Sequence, residues 1–344
     1  MLSDSTFGRI STGLFLACFI CFPVFAEEQS ERTSAPAQCR HIKTETERLR
    51  CYDKIAELES METESAGTPE GNAAEKEAEV SYFSRIWELD EKTQREKYTF
   101  RIHRPTYVLP FTYNGSPNVE PLREADPTKE LKKPEVTFQM SFKVKLLQNI
   151  FGKNVDLWFG YTQRSFWQLY NFADSSPFRE TNYEPELLLN FKTNYEILGL
   201  KLRFINFGLN HQSNGQTDPL SRSWNRAVLN LGFEREPVSI LLKTWCRFPE
   251  SAEEDDNPGI TRYLGYGEIW AYYFYKKHRF GLMIRDSLRF EKNRGALQAE
   301  WSFPLFFKNV AGHVQYFNGY GESLLDYDHR TNRIGVGFIV VDWY

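Results

Sequence analysis

From Tyr98 to the C-terminus, apolar and polar residues alternate with a period of two. Successive side chains of a β-strand point to opposite sides, so this pattern predicts strands with one apolar and one polar face. The candidate strands are 98–113, 136–148, 154–169, 184–194, 198–212, 222–235, 238–248, 261–276, 279–290, 297–306, 310–320 and 332–344. Short connections alternate with long ones, as in bacterial outer-membrane barrels. We therefore predict an all-β fold, a twelve-stranded antiparallel transmembrane β-barrel, over residues 98–344.

The first 26 residues have the pattern of a secretory signal peptide. Arg9 precedes the apolar run 14–22, and Ala26 provides a small residue for cleavage. After this segment, no apolar run reaches the ~18 residues that a membrane-spanning helix needs. We therefore expect the chain to reside in the bacterial outer membrane, which it would span with strands.

Residues 27–97 are predicted to form an N-terminal periplasmic extension and linker. Apolar residues at helical spacing indicate a short helix over 39–58. The stretch 59–79 has no apolar face to bury, which is typical of a linker. The pattern of 81–97 favours another helix on the periplasmic side.

The predicted cleavage leaves three cysteines, Cys39, Cys51 and Cys246. Cys39 and Cys51 could pair in an oxidising compartment, but a straight helix would hold them about 18 Å apart. The disulfide therefore requires a turn between them, and two free thiols are the alternative. Cys246 follows Trp245 within a predicted strand, and we interpret it as a small packing residue.

Composition supports a membrane barrel. Aromatic residues make up 16% of the chain while the mean hydropathy is -0.53, so strand-forming residues are abundant in a chain that is polar on average. The net charge of -4 gives no reason to expect nucleic acid as a partner. A soluble β-sandwich is the alternative fold, but it would not explain the signal peptide and the alternating connections together.

Assigning faces to the strands brings three reactive residue types together. His211 and Ser213 continue the apolar row of strand 198–212, and Asn225 heads the apolar row of the next strand. Polar groups on a lipid-facing row are costly, which makes these residues candidates for function, and solvated rim residues are the alternative. Ser213 could attack an ester while His211 takes its proton and Asn225 orients the imidazole. Gly215 would let the backbone turn to present an N–H to the oxyanion.

A family resemblance is carried by Asn210-His211-Gln212-Ser213-Asn214-Gly215, by Ser221-Arg222-Ser223-Trp224-Asn225-Arg226, and upstream by residues 160–163 and 175–185. These stretches resemble outer-membrane phospholipase A, a calcium-dependent enzyme family of Gram-negative bacteria. The resemblance implies a barrel with its active site on the outer surface. It also implies hydrolysis of glycerophospholipid acyl esters in the outer leaflet, by phospholipase A1/A2 and lysophospholipase activity through an acyl-enzyme.

The resemblance further implies a calcium ion and a homodimer. It assigns Ser221 and the backbone carbonyl of Gln216 to the metal, with Ser175 of the partner subunit completing the site, and it places Gln163 in the dimer interface. The family often has arginine at the Gln216 position, but a carbonyl ligand should tolerate the change. Asp218 could serve a second metal site or remain a solvated loop carboxylate.

Other functions fit the same architecture. A passive porin-like channel is the alternative from another class, although inward Arg and Trp side chains would fill a twelve-stranded lumen. A lipid A deacylase or an outer-membrane protease would also fit a barrel. A protease would be expected to have an acidic or carboxylate-rich site, whereas the lipid-facing position of His211 and Ser213 favours a lipid substrate.

Overall fold

The computed structural model describes residues 42–64, 80–289 and 291–343. The chain divides into two units, Met1–Lys76 and Glu77–Tyr344. None of the described helices is long and apolar enough to span a membrane.

The first unit contains the helix α1 (Glu45–Glu64). This helix extends past the predicted end at residue 58, because no glycine or proline follows until Gly67. The signal peptide, Cys39 and residues 65–79 lie outside the described residues. Residues 59–64 of the predicted linker are helical instead. The cleavage site, the rest of the linker and the pairing of Cys39 with Cys51 stay predictions.

The second unit is built around antiparallel strands. They are β1 (Phe100–Ile102), β2 (Tyr107–Asn114), β3 (Pro134–Leu147), β4 (Val155–Trp167), β5 (Phe178–Ile197), β6 (Leu200–Ser213), β7 (Ser223–Arg235), β8 (Val238–Arg247), β9 (Gly267–Tyr275), β10 (His278–Asp286), β11 (Gly295–Pro304), β12 (Val310–Tyr320) and β13 (Arg330–Val340). From β2 to β13 each strand pairs with the next, and β13 pairs back with β2. The predicted closed barrel of twelve strands is confirmed, which excludes the β-sandwich.

Short helices occupy several connections. They are α2 (Tyr82–Trp87), α3 (Glu120–Ala125), α4 (Thr261–Leu264) and the 3-10 turns Glu91–Thr93, Ile150–Gly152 and Phe172–Asp174. Tight turns such as 198–199 and 236–237 lie at one end of the barrel, and long loops such as 214–222 and 248–266 lie at the other. We refer to these as the turn end and the loop end.

The predicted strand 98–113 is interrupted. Its two parts, β1 and β2, follow one another along the same edge of β3, and each pairs with β3. Between them, Pro105 has no N–H to donate, and Arg104 turns inward to bind Glu184, with Nη1 2.6 Å from Oε2. An inward ion pair therefore displaces this segment from the barrel wall.

Two other predicted boundaries were wrong by six residues, and the strands predicted to end at residues 290 and 344 end at Asp286 and Val340. The strand predicted to begin at residue 184 begins at Phe178, because Arg179 and Asn182 are buried lumen residues whose polarity suggested a loop. The strand predicted over 261–276 begins with the helix α4 and becomes extended only at Gly267. Cys246 is exposed on the outer face and is not the predicted packing residue, because Trp245 takes the adjacent lumen position.

The two faces of the barrel wall match the alternation in the sequence. On β6, Phe207 and Leu209 point outward and are 51% and 53% exposed, whereas Asn206 and Asn210 are buried in the lumen. An apolar outer face and a polar interior are what a strand in a bilayer requires.

Ion pairs fill much of the lumen. Arg179 is fully buried and binds Asp326 at 2.6 Å and Glu135 at 3.2 Å. Lys145 and Glu88, also buried, pair at 2.7 Å. Each of these charges has an opposite partner, as a buried charge needs.

The helix α2 lies inside the lumen at the turn end. Ser81 Oγ and the Phe83 N–H both donate to the Glu234 carboxylate at 2.6 Å. Trp87 packs edge-on against Trp158, with ring centroids 5.9 Å apart. A helix was expected within 81–97, but on the periplasmic side, and the structure packs it against the inner wall of the barrel.

Candidate active site

Pairing of β6 with β7 places His211 opposite Asn225. His211 Nδ1 lies 2.8 Å from Asn225 Oδ1, and both residues are exposed on the outer face. Because the amide oxygen can only accept, Nδ1 carries the proton and Nε2 keeps its lone pair. The imidazole is therefore held in the tautomer that can act as a base.

Side chains in the lumen fix this register from the other side of the wall. Arg226 Nε donates to Asn210 Oδ1 at 3.0 Å, and Trp224 Nε1 donates to Gln212 Oε1 at 2.9 Å. These four residues alternate with His211 and Asn225 along the two strands. A slip by one residue would send every one of them to the opposite face.

Ser213 is the last residue of β6 and lies on the same face as His211. It is half-buried, opposite Ser223 on β7 and Tyr183 on β5. Within the described part of the chain, Ser213 Oγ forms no hydrogen bond to the imidazole. Hydrogen bonds between catalytic groups often tighten only when substrate is bound.

Gly215 follows Ser213 by two residues and has a φ of 65°. A Cβ at this position would lie 3.1 Å from Tyr183 Cε2, so both conformation and space favour glycine. Its N–H donates to no acceptor among the described residues. This backbone donor is thus available next to the serine.

Asn214 organises the loop 214–222 from a position only 2% exposed. Its Oδ1 accepts from the N–H groups of Gln216 at 3.2 Å and Arg222 at 3.0 Å. Its Nδ2 donates to the Leu220 carbonyl at 2.7 Å. A single side chain thus holds Gly215, Gln216 and Ser221 in one turn.

Ser221 Oγ donates to Asp256 Oδ2 at 2.6 Å, and Ser223 Oγ lies 3.5 Å from the same oxygen. Hydroxyl, carboxylate and carbonyl oxygens are the ligands that calcium prefers. Within the described residues the Gln216 carbonyl accepts no hydrogen bond, so this oxygen is available to a ligand, and the donor types in the loop suit a calcium ion. Asp218 makes no hydrogen bond or ion pair within that part of the chain.

Comparisons with known proteins identify the family. Residues 83–340 match the family model for phospholipase A1. A putative phospholipase A1 from Neisseria meningitidis is 34% identical, with 89% of this chain and 90% of the relative aligned. The chain belongs to the phospholipase A1 family.

Solved structures give the same result for the fold. Outer membrane phospholipase A from Escherichia coli superimposes with a TM-score of 0.69 at 35% identity, covering 77% of this chain and 99% of that one. A Salmonella typhi outer membrane phospholipase, a dimer with bound calcium, has the same TM-score at 36% identity, covering 76% and 98%. This phospholipase is therefore an outer-membrane β-barrel that hydrolyses phospholipids. The family assignment gives no support to a porin, a lipid A deacylase or a protease.

The phospholipase carries an apolar groove beside His211 on its outer face. The groove has a volume of about 400 Å³, and Phe159, Leu187, Leu209 and Phe248 contribute apolar side chains to it. A separate lumen cavity of about 220 Å³ is lined by none of the four predicted catalytic residues. The lipid-facing groove is thus the one that adjoins the reactive groups.

The two residues predicted to serve a second subunit lie on the surface. Ser175 is exposed in the loop 168–177, directly after the 3-10 turn Phe172–Asp174. Gln163 is half-buried on the outer face of β4, between Met140 on β3 and Tyr183 on β5. Within the described residues no contact joins Ser175 to Ser221.

Sequence reasoning missed Asp256 and Asn214. A signal for Asp256 was available, because Asp255-Asp256-Asn257 lies in the loop after β8, and β8 pairs with β7. Adjacent antiparallel strands bring that loop next to Ser221. Asn214 offered no such signal, because an asparagine in a loop is ordinarily a solvated turn residue.

Proposed function

We propose that this phospholipase hydrolyses glycerophospholipid acyl esters in the outer leaflet, with Ser213, His211 and Asn225 as nucleophile, base and orienting residue. The observation that carries the proposal is the 2.8 Å hydrogen bond between His211 and Asn225 on the outer face. A base held in this tautomer, two residues before a serine and beside an apolar groove, suits ester substrates that arrive from the membrane.

In the proposed reaction Ser213 Oγ attacks the ester carbonyl as its proton passes to His211 Nε2. The tetrahedral oxyanion accepts a hydrogen bond from the Gly215 N–H. His211 then gives the proton to the departing lysophospholipid alcohol, which leaves an acyl-enzyme on Ser213. Water, deprotonated by His211, attacks this ester, releases the fatty acid and restores the serine.

We propose a calcium ion held by Ser221, the Gln216 carbonyl and Ser175 of the partner subunit, with Asp256 as an additional ligand. The limited protein coordination leaves room for waters, which calcium accepts readily. A bound calcium ion would supply positive charge beside the developing oxyanion. The calcium-bound Salmonella typhi dimer supports both the metal and the assembly.

The proposal predicts a defined set of products. Purified protein should release fatty acids from diacyl phospholipid in mixed micelles, first giving lysophospholipid and then the fully deacylated product. An ether-linked analogue with the same head group should remain intact, because it has no acyl carbon for Ser213 to attack. Mass spectrometry of the products checks this, and cleavage at the phosphate instead of the ester would contradict the proposal.

Gln163 supports the proposed dimer. Its side chain bonds only weakly within its own strand, with Tyr161 OH 3.3 Å from Oε1 and Ser165 Oγ 3.3 Å from Nε2. The neighbouring Met140 and Tyr183 are 49% and 36% exposed. An amide among exposed apolar side chains could form hydrogen bonds across a membrane interface.

Replacing Gln163 by leucine should lower the fraction of calcium-induced dimer, because about 1 kcal/mol of interfacial hydrogen bonding would be lost. Chemical cross-linking in detergent micelles with calcium measures the dimer fraction. Leu282→Ala on β10, across the barrel, is the matched change to an exposed outer residue. Equal dimer fractions for wild type and Gln163→Leu would remove Gln163 from the interface.

A further inference from the structure

Asn225 is held on the side that faces away from His211. Its Nδ2 lies 3.5 Å from Glu250 Oε1. Its backbone carbonyl accepts from the Phe248 N–H at 2.9 Å. The segment that follows β8 is thus fixed against the amide that orients the imidazole.

Glu250 is itself held in place. Arg247 Nη2 donates to Glu250 Oε2 at 2.6 Å and to Asp255 Oδ1 at 2.6 Å. The side chains of Arg247 and Glu250 are 12% and 17% exposed, so the pair is largely shielded from water. One carboxylate oxygen of Glu250 is engaged by the guanidinium, which leaves the other to face Asn225.

The orientation of the Asn225 amide decides which nitrogen of His211 carries the proton. With its oxygen toward the ring, the amide accepts from Nδ1–H and leaves Nε2 free to take a proton. With its NH₂ toward the ring, it would favour the opposite tautomer, in which Nε2 is already protonated. Without a further hydrogen-bond partner, these two orientations of an asparagine amide would be similar in energy.

A carboxylate removes that ambiguity because it can only accept hydrogen bonds. Facing Glu250, the NH₂ of Asn225 is attracted, and its oxygen would be repelled. We propose that Glu250, fixed by Arg247, is a positioning residue that keeps the amide oxygen of Asn225 on His211. This proposal rests on the proposed roles of Ser213, His211 and Asn225 in ester hydrolysis.

The first test is Glu250→Gln in the full-length protein. Arg247 would retain the oxygen of the new amide, so its NH₂ would face Asn225 and favour the flipped orientation. The expected result is a loss of about tenfold in kcat with little change in KM, since the 3.5 Å contact is long for a charged hydrogen bond. Glu253→Gln, an exposed carboxylate in the same loop, is the matched control and should retain wild-type kcat.

The second test reverses the sign of the effect. Asn225→Asp would place a carboxylate against Glu250, and the repulsion should lower kcat. Adding Glu250→Gln would then replace repulsion by a donated hydrogen bond and raise kcat about tenfold above that of Asn225→Asp alone. A substitution that merely damaged folding or substrate binding would lower activity in both backgrounds.

The outcomes distinguish this proposal from the proposed function. If Ser213→Ala retains hydrolysis, the assignment of the catalytic triad fails. If Ser213→Ala is inactive but Glu250→Gln lowers kcat in both backgrounds, or changes it in neither, then only the role of Glu250 is wrong. Resistance of the folded barrel to dodecyl sulfate before heating confirms that each variant is folded.

Discussion

Replacing Ser213 by alanine is expected to reduce phospholipid hydrolysis by roughly 10³- to 10⁶-fold while the barrel stays folded. The methyl group cannot form the acyl-enzyme, so only transition-state stabilisation by the remaining groups would persist. Ser213 is half-buried at the end of β6 and its Oγ has no hydrogen-bond partner among the described residues. Its loss should therefore cost little stability, and fatty acid release from micellar phospholipid measures the effect on activity.

The matched control is Thr244→Val, which removes a hydroxyl from the outer face of β8, close to the site but outside it. Among the described residues, the Thr244 hydroxyl donates only to the Leu229 carbonyl, at 3.2 Å. Its removal should leave turnover within about twofold of wild type. Comparable rates for Ser213→Ala and wild type would refute a serine mechanism at this position, whether or not the other residues act as proposed.

The proposed catalytic pair, His211 and Asn225, could be placed from the sequence because a strand has a rigid period of two. Once residues such as Phe207 and Leu209 were assigned to the lipid, His211 had to share their face, and Asn225 followed from the apolar row of the next strand. The structure confirms this placement by setting the two residues opposite each other. Register across a hairpin was predictable here because each strand has a strongly apolar face.

Contacts between distant segments could not be obtained in the same way. Glu250 and Asp256 reach the site from an irregular loop, where no period ties sequence position to direction. Periodicity could predict the helix α2 but not its position in the lumen. Its partners, among them Trp158 and Glu234, are scattered over several strands. Polar lumen residues such as Arg179 also made the start of β5 resemble a loop.

The second prediction with a large expected effect is that hydrolysis requires calcium. Removing it with excess chelator is expected to abolish hydrolysis, and adding calcium back should restore it. Without the metal, no calcium charge would lie near the oxyanion that develops during the reaction. Magnesium should restore little activity, because it requires compact octahedral coordination and gives up its waters reluctantly. Fatty acid release, titrated with each ion after chelation, measures both responses.

Two substitutions connect this response to particular residues. Ser221→Ala and Asp256→Asn should each raise the calcium concentration for half-maximal activity, by about tenfold or more for the carboxylate, because each removes or weakens an oxygen ligand. Asp126→Asn, on a loop carboxylate of the same barrel whose side chain is 45% exposed, should leave the calcium requirement unchanged. Full activity of wild type in excess chelator would eliminate the metal from the reaction. A normal calcium response in both variants would show that calcium is required but that other residues bind it.

Ser221 Oγ and Asp256 Oδ2 lie 2.6 Å apart, so a single ion could be bound by both. In that case the two substitutions together should raise the calcium concentration for half-maximal activity by less than the product of their separate effects.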